Sequence, residues 1–98
     1  MTQLIPNAAR GEARVSIAGR DYLVCLTMGA LAKIEAAVEA RSLPDLTAKL
    51  AVVSTDRLIR VVGVLLEAGG NPVSRETMEA WPASALADMT RAIEAVFK

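Results

Sequence analysis

The chain contains no histidine, and Cys25 is its only cysteine. Zinc sites built from those ligands, Ser-His triads and Cys-His nucleophiles are therefore excluded within one chain. An intrachain disulfide is excluded as well, and a lone cysteine between Val24 and Leu26 is typical of a small core residue rather than a reactive thiol. We therefore expect a protein that is not an enzyme and that needs no metal or other cofactor.

Excess charge is also missing, because eleven basic and eleven acidic residues give zero net charge and neither sign forms a block. A basic patch that could neutralise several phosphates is absent, which argues against a nucleic-acid partner. The longest apolar run, from Leu58 to Leu66, is interrupted by Arg60 and is much shorter than the ~20 residues of a membrane span. The N-terminus lacks the features of a signal peptide, so we expect a cytoplasmic protein without a membrane partner.

Aromatic residues are scarce, since Tyr22, Trp81 and Phe97 are the only three, although 53% of the residues are hydrophobic. Alanine, valine and leucine must therefore form most of the core. A chain of 98 residues corresponds to one small domain. We interpret residues 1–12 as a lead-in that is partly mobile, and residues 13–98 as a single α+β domain.

The stretch from Ser54 to Gly70 is predicted to be the central, most buried helix. Its apolar residues cover a wide arc, whereas Asp56, Arg60 and Glu67 share the opposite strip. Ser54 and its neighbours are good N-terminal capping residues, and the pair Gly69-Gly70 predicts a left-handed stop.

From Ala13 to Thr27 the apolar residues alternate with a period of two, which predicts a β-hairpin with a turn at Ala18 to Asp21. A two-stranded hairpin is marginal alone, so either one face must lie on the helices or another chain must extend the sheet, and the strand edges are expected to be exposed.

The rest of the chain is predicted to form helices, four or five in all, each marked by a capping residue or a proline. The first predicted helix spans Met28–Ala40 after Thr27, and a short second helix after Ser42 carries Leu43, Leu46, Leu50 and Val53. One or two helical turns follow Ser74. The last predicted helix spans 83–97, with Leu86, Met89 and Ile93 facing the core.

Four residues are candidates for contacting a partner: Met28, Glu35, Met78 and Trp81. Methionine adapts to irregular surfaces, yet at helical spacing it is more often a core residue. Glu35 lies at the edge of an apolar stripe, where a carboxylate either pairs with a base such as Arg14 or contacts a partner. Paired acid-base chemistry is disfavoured because nothing brings a second carboxylate to a defined position.

The N-terminal half carries an ordered set of motifs. They are Arg10-Gly11-Glu12, the hairpin from Val15 to Tyr22 with the glycine-basic-x-aromatic pattern Gly19-Arg20-Asp21-Tyr22 at its turn, a second strand, and a Thr27-capped helix with Ile34-Glu35. In this order the motifs resemble the small gene-transfer-agent tail proteins that are grouped with phage tail assembly chaperones. The later helices agree in length and pattern only, and Ser42-Leu43-Pro44 stands where that family often has a glycine.

The resemblance implies a non-enzymatic protein of phage or gene-transfer-agent tail assembly. Its expected partner is a tape-measure protein, which it would shield, or a tail tube subunit, which it would deliver. The first alternative is a structural tail tube or minor tail component that remains in the particle, and homo-oligomers are left open. The second alternative is a small DNA-binding regulator, although Arg91 and Lys98 make a thin phosphate footprint.

Overall fold

A computed structural model describes residues 10–97. The predicted α+β class is confirmed, with a two-stranded antiparallel hairpin followed by five helices. The elements are β1 Glu12–Ile17, β2 Arg20–Cys25, α1 Met28–Val38, α2 Leu43–Ala51, α3 Thr55–Ala68, α4 Arg75–Glu79 and α5 Ala85–Phe97. The predicted mobile lead-in falls mostly on residues 1–9, which lie outside the described part.

The hairpin turn contains two residues, Ala18 and Gly19, with φ of 54° and 80°. Two consecutive positive φ values are typical of a type I′ turn, whose twist matches that of the strands. The four-residue turn predicted from the sequence was therefore too long, since Arg20 and Asp21 already pair with Ile17 and Ser16. The Ala18 amide donates to Asp88 Oδ2 of α5 at 3.2 Å, which ties the turn to the helices.

One face of the hairpin packs on the helices, as the alternation predicts, whereas the other is exposed at Arg14 and Ser16 and buried at Cys25. Ile17, Tyr22 and Val24 are buried on the inner face. Arg14 and Ser16 are exposed on the outer face. The inner face lies against α3 beside β2 and against α5 beside β1.

Helix α3 is the centre of the core, and its predicted apolar arc is confirmed. Its buried residues are Leu58, Ile59, Val61, Val62, Leu65 and Leu66. The helix packs against α1, β2, α4 and α5, so that most of its circumference is covered. No helix within residues 10–97 has the length and hydrophobicity that crossing a membrane requires.

Gly69 has a different role from the one predicted. Its φ is −83°, so it is not left-handed, whereas Gly70 does take a φ of +82°. A Cβ atom on Gly69 would lie 2.0 Å from the carbonyl oxygen of Leu23. Only a residue without a side chain lets the end of α3 approach the backbone of β2 this closely.

The four predicted N-terminal caps are confirmed. Thr27, Ser42, Ser54 and Ser74 each accept a hydrogen bond from the amide three residues later. Helix α1 ends two residues before its predicted end because Glu39 adopts a left-handed conformation with φ of 57°.

Two residues expected to face the core are exposed instead. Leu43 is 58% exposed at the start of α2, and Leu86 is 40% exposed on the first turn of α5. Helix α2 packs mainly on α1 and buries only Leu46 fully, so it is a peripheral element.

We predict that Leu65→Ala destabilises the domain by about 2–5 kcal/mol, because the substitution removes fully buried methyl groups and leaves a cavity. Arg60→Ala is the control on the same helix. Its ion pair with Asp56 is exposed, so the change should stay below about 1 kcal/mol. Chemical denaturation measures both, and equal losses would contradict the assignment of α3 as the core helix.

Gly69→Ala is predicted to destabilise the fold by about 1–3 kcal/mol or more, because the new methyl group meets rigid backbone. Gly29→Ala is the matched control, since Gly29 lies in the first turn of α1 and a Cβ there meets nothing closer than 3.9 Å. That control should be neutral or stabilising by up to about 1 kcal/mol. Similar melting temperatures for the two variants would refute the close contact.

Candidate interaction groove

An apolar groove runs across the surface where α3, α4 and the start of α5 meet. It consists of two hollows of about 250 Å³ and about 410 Å³ that share Ile59 and Met78. The smaller hollow also contains Trp81 and Leu86, and the larger one extends along α3 past Gly63 towards α1. We call the two hollows together the groove.

The floor of the groove depends on a glycine inside α3. A Cβ atom at Gly63 would lie 3.0 Å from the terminal methyl of Met78, so the missing side chain makes room for the methionine. Met78 is buried there, at the point where α4 crosses α3. Because methionine is flexible and polarisable, the floor can adjust to differently shaped apolar groups.

Trp81 forms one end of the groove. Its ring lies against Tyr22 of the hairpin, with centroids 6.2 Å apart and the planes tilted by 50°. The indole is half-buried. Tyr22 contacts it on one side, and the indole also lines the smaller hollow. This end of the groove is therefore held in place by the sheet.

Ion pairs connect α3 to α4 along the groove, and two of their members, Arg60 and Arg75, line its larger hollow. Asp56 accepts from Arg75 and also pairs with Arg60 at 3.4 Å, while Arg75 reaches Glu79 at 2.9 Å. The hydrogen bond from Arg75 lowers the pKa of the Asp56 carboxyl, with the charge of Arg60 acting in the same direction. All four side chains are largely exposed, so these pairs align α4 more than they stabilise the fold.

The arrangement offers contact surface for another molecule. Within residues 10–97 no group of three potential metal ligands comes together. The lining of the smaller hollow is mainly apolar, with Glu79 at its edge. A surface of this kind can bind apolar side chains of another molecule.

Comparison with known proteins identifies the family. A family model described as phage tail tube protein, GTA-gp10, and named among the tail assembly chaperones, matches residues 10–98. The chain belongs to this phage tail family. The match spans the hairpin and all five helices, and it confirms the resemblance seen in the N-terminal motifs. No curated protein and no solved structure matches the chain.

Two of the four predicted contact residues of this tail protein lie together. Met78 and Trp81 both line the groove. Met28 is 83% exposed at the start of α1, and Glu35 is half-buried further along that helix; neither lines the groove. The four residues therefore do not form one site, and their role in binding stays a prediction.

Glu35 does not form the ion pair that was considered for it. No hydrogen bond or ion pair to its carboxylate occurs within residues 10–97. The basic residues suggested for DNA contact are not gathered either, since Arg91 pairs with Asp88 on its own helix and Lys98 lies outside the described residues.

Sequence reasoning missed Ile59, Gly63 and Leu86 as groove residues. Gly63 carried a usable signal, because a glycine inside a helical pattern often marks a close approach of another element. For Ile59 and Leu86 the periodicity indicated only the apolar face of each helix. It could not show that Leu86 stays exposed or that Ile59, although buried, lines a surface hollow.

Cys25 is buried, and its thiol donates to the carbonyl oxygen of Arg10 at 3.2 Å. Burial raises the pKa of the thiol, and the nearby Glu12 carboxylate adds to that shift. Since the thiolate is the reactive form, we predict slow alkylation of the folded protein by iodoacetamide at pH 8 and much faster alkylation in denaturant. Equal rates measured by mass spectrometry in the two conditions would contradict the buried position.

Proposed function

We propose that this chain is a non-enzymatic tail assembly protein that acts as a chaperone. It binds an apolar, helical segment of a tape-measure-like tail protein and keeps that client soluble until the tube forms around it. It does so in the cytoplasm of the bacterial host, before the particle is complete. The observation that supports this proposal is an apolar groove that stays exposed to solvent although the hydrophobic core of the domain is buried.

A helical client suits the groove better than a small molecule does. Each hollow is small and open, whereas small-molecule sites enclose most of their ligand. An amphipathic helix would instead place successive apolar residues into the two hollows on either side of Met78. A long tape-measure chain exposes such residues before assembly, and uncovered apolar surface aggregates.

The remaining surface supports a transient role. Outside the groove, the large hydrophobic residues exposed within residues 10–97 are Met28 on α1 and Leu43 and Val52 at opposite ends of α2. Permanent subunit interfaces bury large, continuous apolar areas. Scattered exposed residues and a shallow groove correspond better to a partner that is bound and later released.

The alternative is a structural component of the finished tail. The description of the family as a phage tail tube protein favours it. A structural subunit would remain in purified particles at the stoichiometry of the tube. A chaperone would be absent from them.

We predict that co-expression with a tape-measure protein of the tail to which this chain belongs keeps that protein in the supernatant after sedimentation. Leu86→Glu should abolish the effect, because it places a charge in the smaller hollow at a position that is already 40% exposed. Leu43→Glu is the matched control, since Leu43 is 58% exposed on α2 and lines neither hollow.

Both variants should melt close to the unchanged protein, which separates lost binding from lost folding. A tape-measure protein that is equally soluble without this chain would contradict the chaperone. Recovery of this chain in finished tails at tube stoichiometry would replace the proposal with the structural alternative.

A further inference from the structure

Helix α2 lies in a stretch of the chain that leaves the end of α1 and returns to the start of α3. We call residues 41–53, which contain α2 and its linkers, the α2 segment. Next to both of its ends, Arg57 of α3 donates to Glu39 Oε2 at 2.9 Å and to the carbonyl oxygen of Val38 at 3.5 Å. Helices α1 and α3 also pack directly on each other. The neighbouring ends of α1 and α3 are therefore held together without a contribution from α2.

The α2 segment makes little apolar contact with the rest of the domain. Leu46 is the only fully buried residue among residues 41–53, whereas Leu50 and Val53 are half-buried. The helix packs mainly on α1. A hollow of about 210 Å³, with Val38 and Val52 in its lining, lies where the end of α2 meets α1, so packing is incomplete there.

Polar contacts of the α2 segment are almost all internal. Within residues 10–97 a single hydrogen bond joins it to the rest of the chain, from the Lys49 ammonium to the carbonyl oxygen of Glu39 at 2.5 Å. The ion pair of Lys49 with Asp45 lies inside the segment, as does the bond from the Arg41 amide to Asp45. Because the Lys49 side chain is 37% exposed, water can replace its bond to Glu39 at small cost.

The remaining elements cover one another without α2. Helix α3 packs against α1, β2, α4 and α5, and α5 covers β1. An element with few buried apolar contacts opens at a lower free energy than the whole domain unfolds. The α2 segment is the part of the fold that meets this condition most clearly, since α1 and α3 stay joined when it leaves.

We propose that the α2 segment is a lid that opens and closes as a unit while the hairpin, α1, α3, α4 and α5 stay folded. Opening exposes Leu46 and the end of α1 at Val38, both of which are buried in the closed state. The apolar surface of the domain is then larger in the open state than in the closed one. No residue of the α2 segment lines the groove, so the lid does not depend on the chaperone function.

Hydrogen exchange of the folded, ¹⁵N-labelled chain tests the lid, measured by NMR at several urea concentrations below the unfolding transition. The amides of residues 46–51 should exchange at least about ten-fold faster than those of residues 58–66 in α3. Their rates should depend weakly on urea, because local opening exposes little surface, whereas the α3 rates should rise steeply. Equal rates with the same urea dependence in both helices would overturn the proposal.

Two variants form a matched pair, because Leu46 and Leu65 are both fully buried leucines. Leu46→Ala weakens the closed lid and should speed exchange in α2 by about 30-fold or more. Leu65→Ala should speed exchange in α3 by a similar factor and leave α2 unchanged, because Leu65 stays buried whether the lid is open or closed. Parallel acceleration of α2 and α3 in Leu65→Ala would refute the lid, since α2 would then be released only by global unfolding. If either variant does not fold, the urea dependence of the unchanged chain decides the question.

Discussion

The contact between the end of α3 and the backbone of β2 is the constraint on which the fold depends. A two-stranded sheet is marginal alone and needs a helix against one face. Helix α3 packs against that face, and Gly69 allows the backbone at the end of α3 to contact the backbone of β2. Asn71, two residues later, then reaches Leu23 and closes the strand edge. The position of α3 thus fixes the sheet, and α1, α4 and α5 pack around α3.

Local signals explain what could be predicted from the sequence. The alternation of the hairpin, the apolar arc of α3 and the serine or threonine before each of the first four helices are properties of short segments, and all were confirmed. The helix ends were less accurate, because Glu39 ends α1 through a backbone conformation that glycine or asparagine usually adopts. Gly69 was predicted only as a helix stop. Its contact with Leu23 joins residues far apart in sequence, so local patterns could not show it.

The candidate site could be predicted only in part, for the same reason. Met78 and Trp81 were recognised as adaptable apolar residues near each other in the chain, and the groove contains both. Met28 and Glu35 lie on another helix, and periodicity does not show which helix faces meet. Leu86 was assigned to the core because its spacing fits the stripe of α5, yet the stripe extends past the element that would cover it.

Helix α5 connects the groove to the hairpin. Leu86 lines the groove, and Asp88, two residues later, holds the hairpin turn through the Ala18 amide. The same helix covers the inner face of β1. The shape of the smaller hollow and the position of the hairpin turn therefore depend on the same turn of α5.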